Sequence, residues 1–348
     1  MKQPEAHYTI ITPSGGFEEM PTLKEALAYT TSQNGYIWAD YVDPTAELLA
    51  ELMPAFGIHP LSIEDCLNGN QLPKLDLFPS YSFLIFNTFE ETPEELLSHE
   101  LDLFIGENFV VTAGFRREDN QALLTGLREL LERQRDVVRQ GPSYLLHQVL
   151  DKTVDDKLGV IENIEEALEA NEDAILAEPL EFDYSSLMQS RRALQVIRRS
   201  LFHEREVVNK LIRRDSPFIT EKALVYFRDI YDHLSKYYEV AETAREQVTD
   251  LMEIHLSLIN NSMAETANRT NAIMRRLTLI TTIFMPLTLI AGIGGMSEFT
   301  MMVGQENWRI AYFVLLVGMA VIGLINYRLL LRMERDANEE VKKLQIKK

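Results

Sequence analysis

Read in alternating steps of four and three from Glu246, the chain sets Asp250, Glu253, Ser257, Asn260, Ala264, Ala267, Asn271, Met274, Thr278, Thr281, Met285, Thr288 and Gly292 along one edge. That step holds residues on a single side of a helix. The edge begins as carboxylates and continues as amides, hydroxyls and small residues. Beside it runs an apolar seam suited to packing: Leu251, Ile254, Leu258, Leu277, Ile280, Phe284, Leu287 and Ala291. Several copies around an axis would turn the polar edges inward and enclose a hydrophilic path, with Glu246, Asp250 and Glu253 as an acidic ring. The same spacing also suits a solvated stalk whose hydroxyls bond their own helix carbonyls. Pattern alone leaves both open.

Positioning such an edge requires a long, uninterrupted helix. Between Thr220 and Pro286 there is no proline and no glycine, which predicts one helix reaching on the order of 100 Å. Its end coincides with the first of two charge-free runs, Leu277–Met296 and Ile310–Tyr327. Each is about the ~20 residues that cross a bilayer core. Arg275 and Arg276 precede the first run, and Arg328, Arg332 and Arg335 follow the second. The connection between them carries Glu298 and Glu306, with Arg309 only at its far edge. Basic residues on the outer flanks place both termini in the cytoplasm, and the protein in a cell (inner or plasma) membrane. The first residues, MKQPEAHYTIITPSG, lack the apolar stretch of a secretory signal.

Upstream, strand candidates are Tyr8–Thr12, Tyr36–Ala39, Ser82–Phe89, Glu100–Ile105 and Phe109–Ala113, the last two as a hairpin around Gly106. Pro44–Phe56 and Glu118–Arg133 read as helical. Leu145–Ala177 and Tyr184–Arg214 read as long charged helices separated near Pro179. The expected class is an α+β cytoplasmic domain followed by a long helical stalk and two transmembrane helices. Its divisions are an α/β domain (1–135), antiparallel helices (136–219), stalk (220–276), first span (277–296), loop (297–309), second span (310–327) and basic tail (328–348).

Composition narrows the function. A formal charge of −19 disfavours nucleic-acid phosphates and attracts cations. Cys66 is the only cysteine, so no internal disulfide or CxxC site exists. The seven histidines form no HExxH pair, and no GxxxxGK[ST] loop is present. Enzymatic chemistry is not expected, and Glu162, Glu165, Glu166 and Glu169 read as a solvated helix face.

Three stretches carry a family resemblance. His59-Pro60-Leu61-Ser62-Ile63-Glu64-Asp65, continuing through Cys66-Leu67-Asn68 to Gln71-Leu72-Pro73-Lys74, resembles the HPLxxEDxLN…QxPK segment of the CorA magnesium and cobalt transporters. Tyr226-Phe227-Arg228-Asp229-Ile230-Tyr231-Asp232-His233 resembles their YFRDxYDH segment. Thr282-Ile283-Phe284-Met285-Pro286-Leu287-Thr288, then Ile290-Ala291-Gly292-Ile293, resembles their pore helix. The resemblance implies a funnel-shaped membrane homopentamer whose first spans line a pore at Asn271, Met274, Leu277, Met285 and Thr288. All but Leu277 lie on the edge found by spacing, together with Thr278, Thr281 and Gly292; Leu277 borders it.

The resemblance further implies Mg²⁺ as transported and regulatory ion, with Co²⁺, Ni²⁺ or Zn²⁺ as further candidates, and no organic cofactor. Regulatory cytoplasmic carboxylates would be Glu64, Asp65 and Asp229, with Asp155 and Asp156 from a similar VDD stretch. The pore mouth departs from the family. Where GMN follows an aromatic residue, this chain has Gly294-Gly295-Met296-Ser297, followed by Glu298. Serine hydroxyls reach less far than asparagine amides toward a hydrated ion, and Glu298 could supply attraction instead. Three readings stay open here: a divalent-cation channel admitting Mg²⁺, a zinc, nickel or cobalt carrier of the same superfamily, and a non-conducting membrane-anchored metal sensor.

Overall fold

The computed structural model describes residues 4–69, 71–118, 121–296, 301, 304 and 307–345, with backbone alone at 330 and 333–345. The chain divides into two compact units, Met1–Leu256 and Ser257–Lys348.

The first unit is built on a seven-stranded sheet. In chain order its strands are β1 (Glu5–Ile11), β2 (Phe17–Met20), β3 (Tyr36–Val42), β4 (Lys74–Leu77), β5 (Ser82–Glu91), β6 (Leu96–Ile105) and β7 (Phe109–Gly114). Their spatial order is β2-β1-β3-β7-β6-β5-β4. Only β3 and β7 run parallel; the other pairs are antiparallel, including the expected β6–β7 hairpin. The five strands read from sequence are all present, most a few residues longer than expected. The two unforeseen strands, β2 and β4, lie at the sheet's ends. Each has four residues and carries charge (FEEM, KLDL), a composition that protects an exposed edge and erases any apolar alternation.

Short helices α1 (Leu23–Ser32), α2 (Ala46–Ala50), α3 (Leu52–Phe56) and α4 (Pro60–Asn68) close one core against the sheet. Leu23, Leu49, Leu52, Phe56 and Ile63 meet Ile37, Phe83, Ile85 and Phe104 there. Residues of opposite parity, Leu84 and Phe86, are fully buried as well, so the sheet is covered on both faces. Beyond β7 come α5 (Leu127–Arg133) and α6 (Arg135–Val138), then the long α7 (Pro142–Ala177) and α8 (Tyr184–Ile212). Pro142 opens α7 at a position whose N–H would lack a helical partner anyway. Asp183 caps α8 by accepting the Ser185 N–H at 2.9 Å.

A 3₁₀ turn, Glu221–Ala223, leads into α9, which is continuous from Leu224 to Gly294. It carries Pro286 in its interior, so the Thr282 carbonyl lacks the i+4 N–H partner of a regular helix. The final helix is α10 (Trp308–Gln345). The ends of α9 and α10 contain two stretches long and apolar enough to cross a membrane, and only 6% and 0% of those stretches is buried within the chain. Phe284, Leu289, Phe313 and Leu316 are each about two-thirds exposed (60%, 66%, 67%, 63%). Apolar surface on that scale needs cover from outside the chain.

A buried ion pair joins α7 and α8 to the sheet. Lys157 and Glu204 are 1% and 0% exposed, with Nζ 3.2 Å from Oε1. Lys157 also donates to the Asn87 carbonyl. Glu204 Oε1 accepts the Asn87 N–H at 3.0 Å and the Ser200 hydroxyl at 3.1 Å. Burial lowers the lysine's pKa, and Glu204 opposes that shift. Removing one partner leaves a buried charge without its counterion. Glu204→Leu is expected to cost about 3–5 kcal/mol and to lower the thermal midpoint measured in detergent. Adding Lys157→Met should recover most of the loss; equal midpoints for the single variant and the unaltered chain would show the pair to be energetically silent.

Candidate metal centre and pore-lining face

In the first unit, α7 carries His147, Asp151 and Asp155 at four-residue steps, and α9 carries Asp229, His233 and Tyr237 in the same way. Such steps put each set on one face of its helix. The faces meet: the His147 ring lies 5.1 Å from Tyr226 and 6.1 Å, edge-on, from Phe227. One ligand atom each from Asp151, Asp229 and His233 lie within 4.8 Å of one another. Two carboxylates suit Mg²⁺, and an imidazole beside them extends the range to Co²⁺, Ni²⁺ and Zn²⁺.

The electrostatics fit a bound cation. Burial raises the Asp151 pKa, Asp229 adds to the rise and His233 opposes it. Asp155 is raised by burial and then by Asp151. Burial pushes His147 down to about 4, against the pull of Asp229. His233 Nδ1 is buried without a hydrogen-bond partner among the described residues. Crowded carboxylates resist ionisation unless positive charge relieves them.

The other predicted regulatory residues separate. Asp229 belongs to this cluster, and Asp155 is its electrostatic neighbour. Asp156 turns to Lys152, which donates to both carboxylate oxygens at 2.9 Å. Asp65, on α4, accepts from Lys74 Nζ at 2.6 Å. Partial burial works against its charge, but Lys74 and Gln71 outweigh it and hold the carboxyl below its usual range. Glu64 beside it is exposed. Asp151 and His233 were missed as site residues from the sequence, although the i, i+4 pair Asp229/His233 was there to be read. The stalk acids Glu246, Asp250 and Glu253 are all exposed. Asp250 also lines a cleft of about 400 Å³ together with Glu165, Glu169 and Glu172 of α7.

In the second unit, two faces of α9 are distinguished by what covers them. Leu287 lies under α10 at Gly323, where an added Cβ would stand 3.7 Å from its Cδ1, and Leu315 presses on Gly294. Leu279, Ile283, Leu287, Ile290 and Gly294 are the less exposed positions on that side. Asn271, Met274, Leu277, Thr278, Thr281, Met285, Thr288 and Gly292 are all exposed. At about 100° per residue, the 274–292 stripe lies roughly 180° around the helix from the α10-facing one. The apolar seam read from spacing lies between them: Leu287 is half-buried, whereas Ile280 and Phe284 are exposed. Thr278, Thr281 and Thr288 donate to the carbonyls of Met274, Leu277 and Phe284 at 2.8–2.9 Å. Each hydroxyl oxygen keeps lone pairs directed away from the helix. Gly295 and Met296 of the mouth are exposed; Ser297 and Glu298 lie outside the described residues.

Comparison with known proteins places the chain in a family. The family profile described as CorA-like Mg2+ transporter protein matches residues 33–332. A cobalt/magnesium transport protein CorA of Thermotoga maritima is 35% identical over 273 residues, 78% of this chain and 74% of that protein. The putative metal ion transporter YfjQ of Bacillus subtilis is 33% identical over 292 residues, 83% and 87% of the two chains. The complete structure of the CorA magnesium transporter from Methanocaldococcus jannaschii superposes with a TM-score of 0.69 at 23% identity, covering 94% of this chain and 98% of that one; at that identity it speaks to the fold. The matched range spans α4, the Asp151/Asp229/His233 group and the polar stripe of α9, and the chain belongs to the CorA-like Mg²⁺ transporter family.

Proposed function

We propose that five copies assemble around the polar stripe of α9 as a passive divalent-cation channel that carries Mg²⁺ inward and closes when cytoplasmic Mg²⁺ is high. The observation that carries this reading is the placement of Asn271–Gly292 opposite the face that α10 covers, in a member of a transporter family. In such a ring, Thr278, Thr281 and Thr288 present hydroxyl oxygens to the water shell of the ion. Mg²⁺ gives up water reluctantly, so acceptors for bound water serve better than a tight cage. A membrane potential contributes about 4.6 kcal/mol per divalent ion per 100 mV, enough to drive entry without a nucleotide.

The mouth, Gly295, Met296, Ser297 and Glu298, would choose the ion, with Glu298 offsetting the short serine hydroxyl. Regulation falls to Asp229 with Asp151 and His233 inside each copy, and to Glu64 and Asp65 toward a neighbouring copy. Asp155 adds to the field, and Asp156 contributes less because Lys152 holds it. Mg²⁺ would relieve the repulsion and draw copies together; its loss would loosen the ring.

Ion uptake into proteoliposomes tests conduction. Mg²⁺ flux is expected, and Ser297→Asn should raise it severalfold. Zn²⁺ or Ni²⁺ flux without Mg²⁺ would mark a different carrier, and no flux with any ion would leave only a sensor. Protease protection against Mg²⁺ tests regulation. Asp151→Asn with Asp229→Asn should move the protecting Mg²⁺ concentration up by about tenfold or more, the effect of losing ~1.4 kcal/mol of binding. Because Asp151 and Asp155 have raised pKa values, protons compete with the ion at higher pH than for ordinary carboxylates. Protection should therefore weaken as pH falls, beginning above the usual carboxylate range. A curve that moves with neither substitution nor pH would remove the cluster from the sensor.

A further inference from the structure

The last helical residue of α9 is Gly294, and the carbonyls ending a helix have no donor within it. Two nearby carbonyls are served by the chain itself: Gly295 N–H reaches Ala291 O at 3.0 Å, and Met296 N–H reaches Ile293 O at 3.2 Å. The Gly294 carbonyl is served from another helix. Tyr312, one turn into α10, donates its hydroxyl to that oxygen at 2.9 Å. In a water-poor environment an unanswered carbonyl is expensive, so this bond constrains the start of the mouth segment.

Glycine makes the approach possible. A Cβ at position 294 would stand 2.7 Å from Leu315 Cδ2 and 3.4 Å from Cδ1. Gly294 is also the one buried residue in the 291–296 stretch. The Tyr312 ring is set edge-on against Trp308, with centroids 6.4 Å apart and planes at 78°, which restricts where its hydroxyl can point. Leu315 thus fills the space that a side chain would need, while Tyr312 holds the carbonyl on the same residue.

From this geometry we infer that Tyr312 is a positioning residue of the pore mouth. Its hydroxyl fixes the Gly294 carbonyl and so the exit direction of Gly295 and Met296, and Leu315 keeps position 294 closed to any larger residue. The inference deepens the channel reading and rests on it for its consequence in ion choice, whereas the latch itself can be tested without conduction.

The test uses the full chain in proteoliposomes. Cys66 is buried, at 2% exposure, so a Met296→Cys variant offers one accessible thiol to a membrane-impermeant methanethiosulfonate reagent. Adding Tyr312→Phe, which removes only the hydroxyl, should speed labelling roughly threefold or more, the range expected for an interhelical hydrogen bond. It should also change the Mg²⁺-to-Ni²⁺ flux ratio while leaving the oligomer size unaltered. Gly294→Ala should speed labelling in the same way, and Leu315→Ala should reverse the effect of Gly294→Ala but not that of Tyr312→Phe. An unchanged labelling rate in Tyr312→Phe would overturn the latch, as would its reversal by Leu315→Ala. If the unaltered chain passes no ion, the channel reading fails and the labelling rate still decides the latch.

Discussion

Hydrocarbon excludes a divalent cation unless oxygen atoms accompany it across, and an isolated helix that displayed such oxygens to lipid would be at a disadvantage. The arrangement of the last two helices follows from that constraint. One face of α9 is occupied by α10, through Gly294, Leu287 and Gly323. The face bearing Asn271, Thr278, Thr281, Thr288 and Gly292 is left uncovered by the chain. Identical copies are the simplest source of cover, because a polar stripe satisfies itself best against other polar stripes with water between them. In the proposed ring, closed symmetry would turn this one helix into a wall.

The threonine hydroxyls bear on this economy. Bonding back to the i−4 carbonyl was one of two readings that the spacing left open, and Thr278, Thr281 and Thr288 do bond in that way. The two readings are compatible. A donated proton fixes the hydroxyl oxygen in orientation and leaves acceptor lone pairs outward. Such a surface receives hydrogen bonds from water and offers none, which matches the outward-pointing protons of a hydrated cation.

Legibility in the sequence tracked the range of the interaction. The continuous α9 and the two apolar runs were readable because the absence of proline, glycine and charge is a local property. The five longer strands were readable from apolar runs. Strands β2 and β4 were not, because short charged edge strands are defined by a neighbour's hydrogen bonds rather than their own pattern. At the candidate metal cluster, Asp229 came from a motif that also holds His233, and what the sequence concealed was that Asp151, on a helix far away in the chain, meets them. The apolar seam is not the stripe that α10 covers, because spacing reveals periodicity and not which neighbour a face will meet.

Glycine at 294 shows how one departure in sequence is absorbed by another helix. An aromatic side chain there could not coexist with Leu315 in its present place, since even a methyl group would approach to 2.7 Å. The second helix fills the volume with Leu315 and supplies a hydroxyl from Tyr312. The altered residue thus sits in a defined setting: the neighbouring helix fills the space beside it and answers its carbonyl, so the segment from Gly294 to Met296 keeps a fixed starting point.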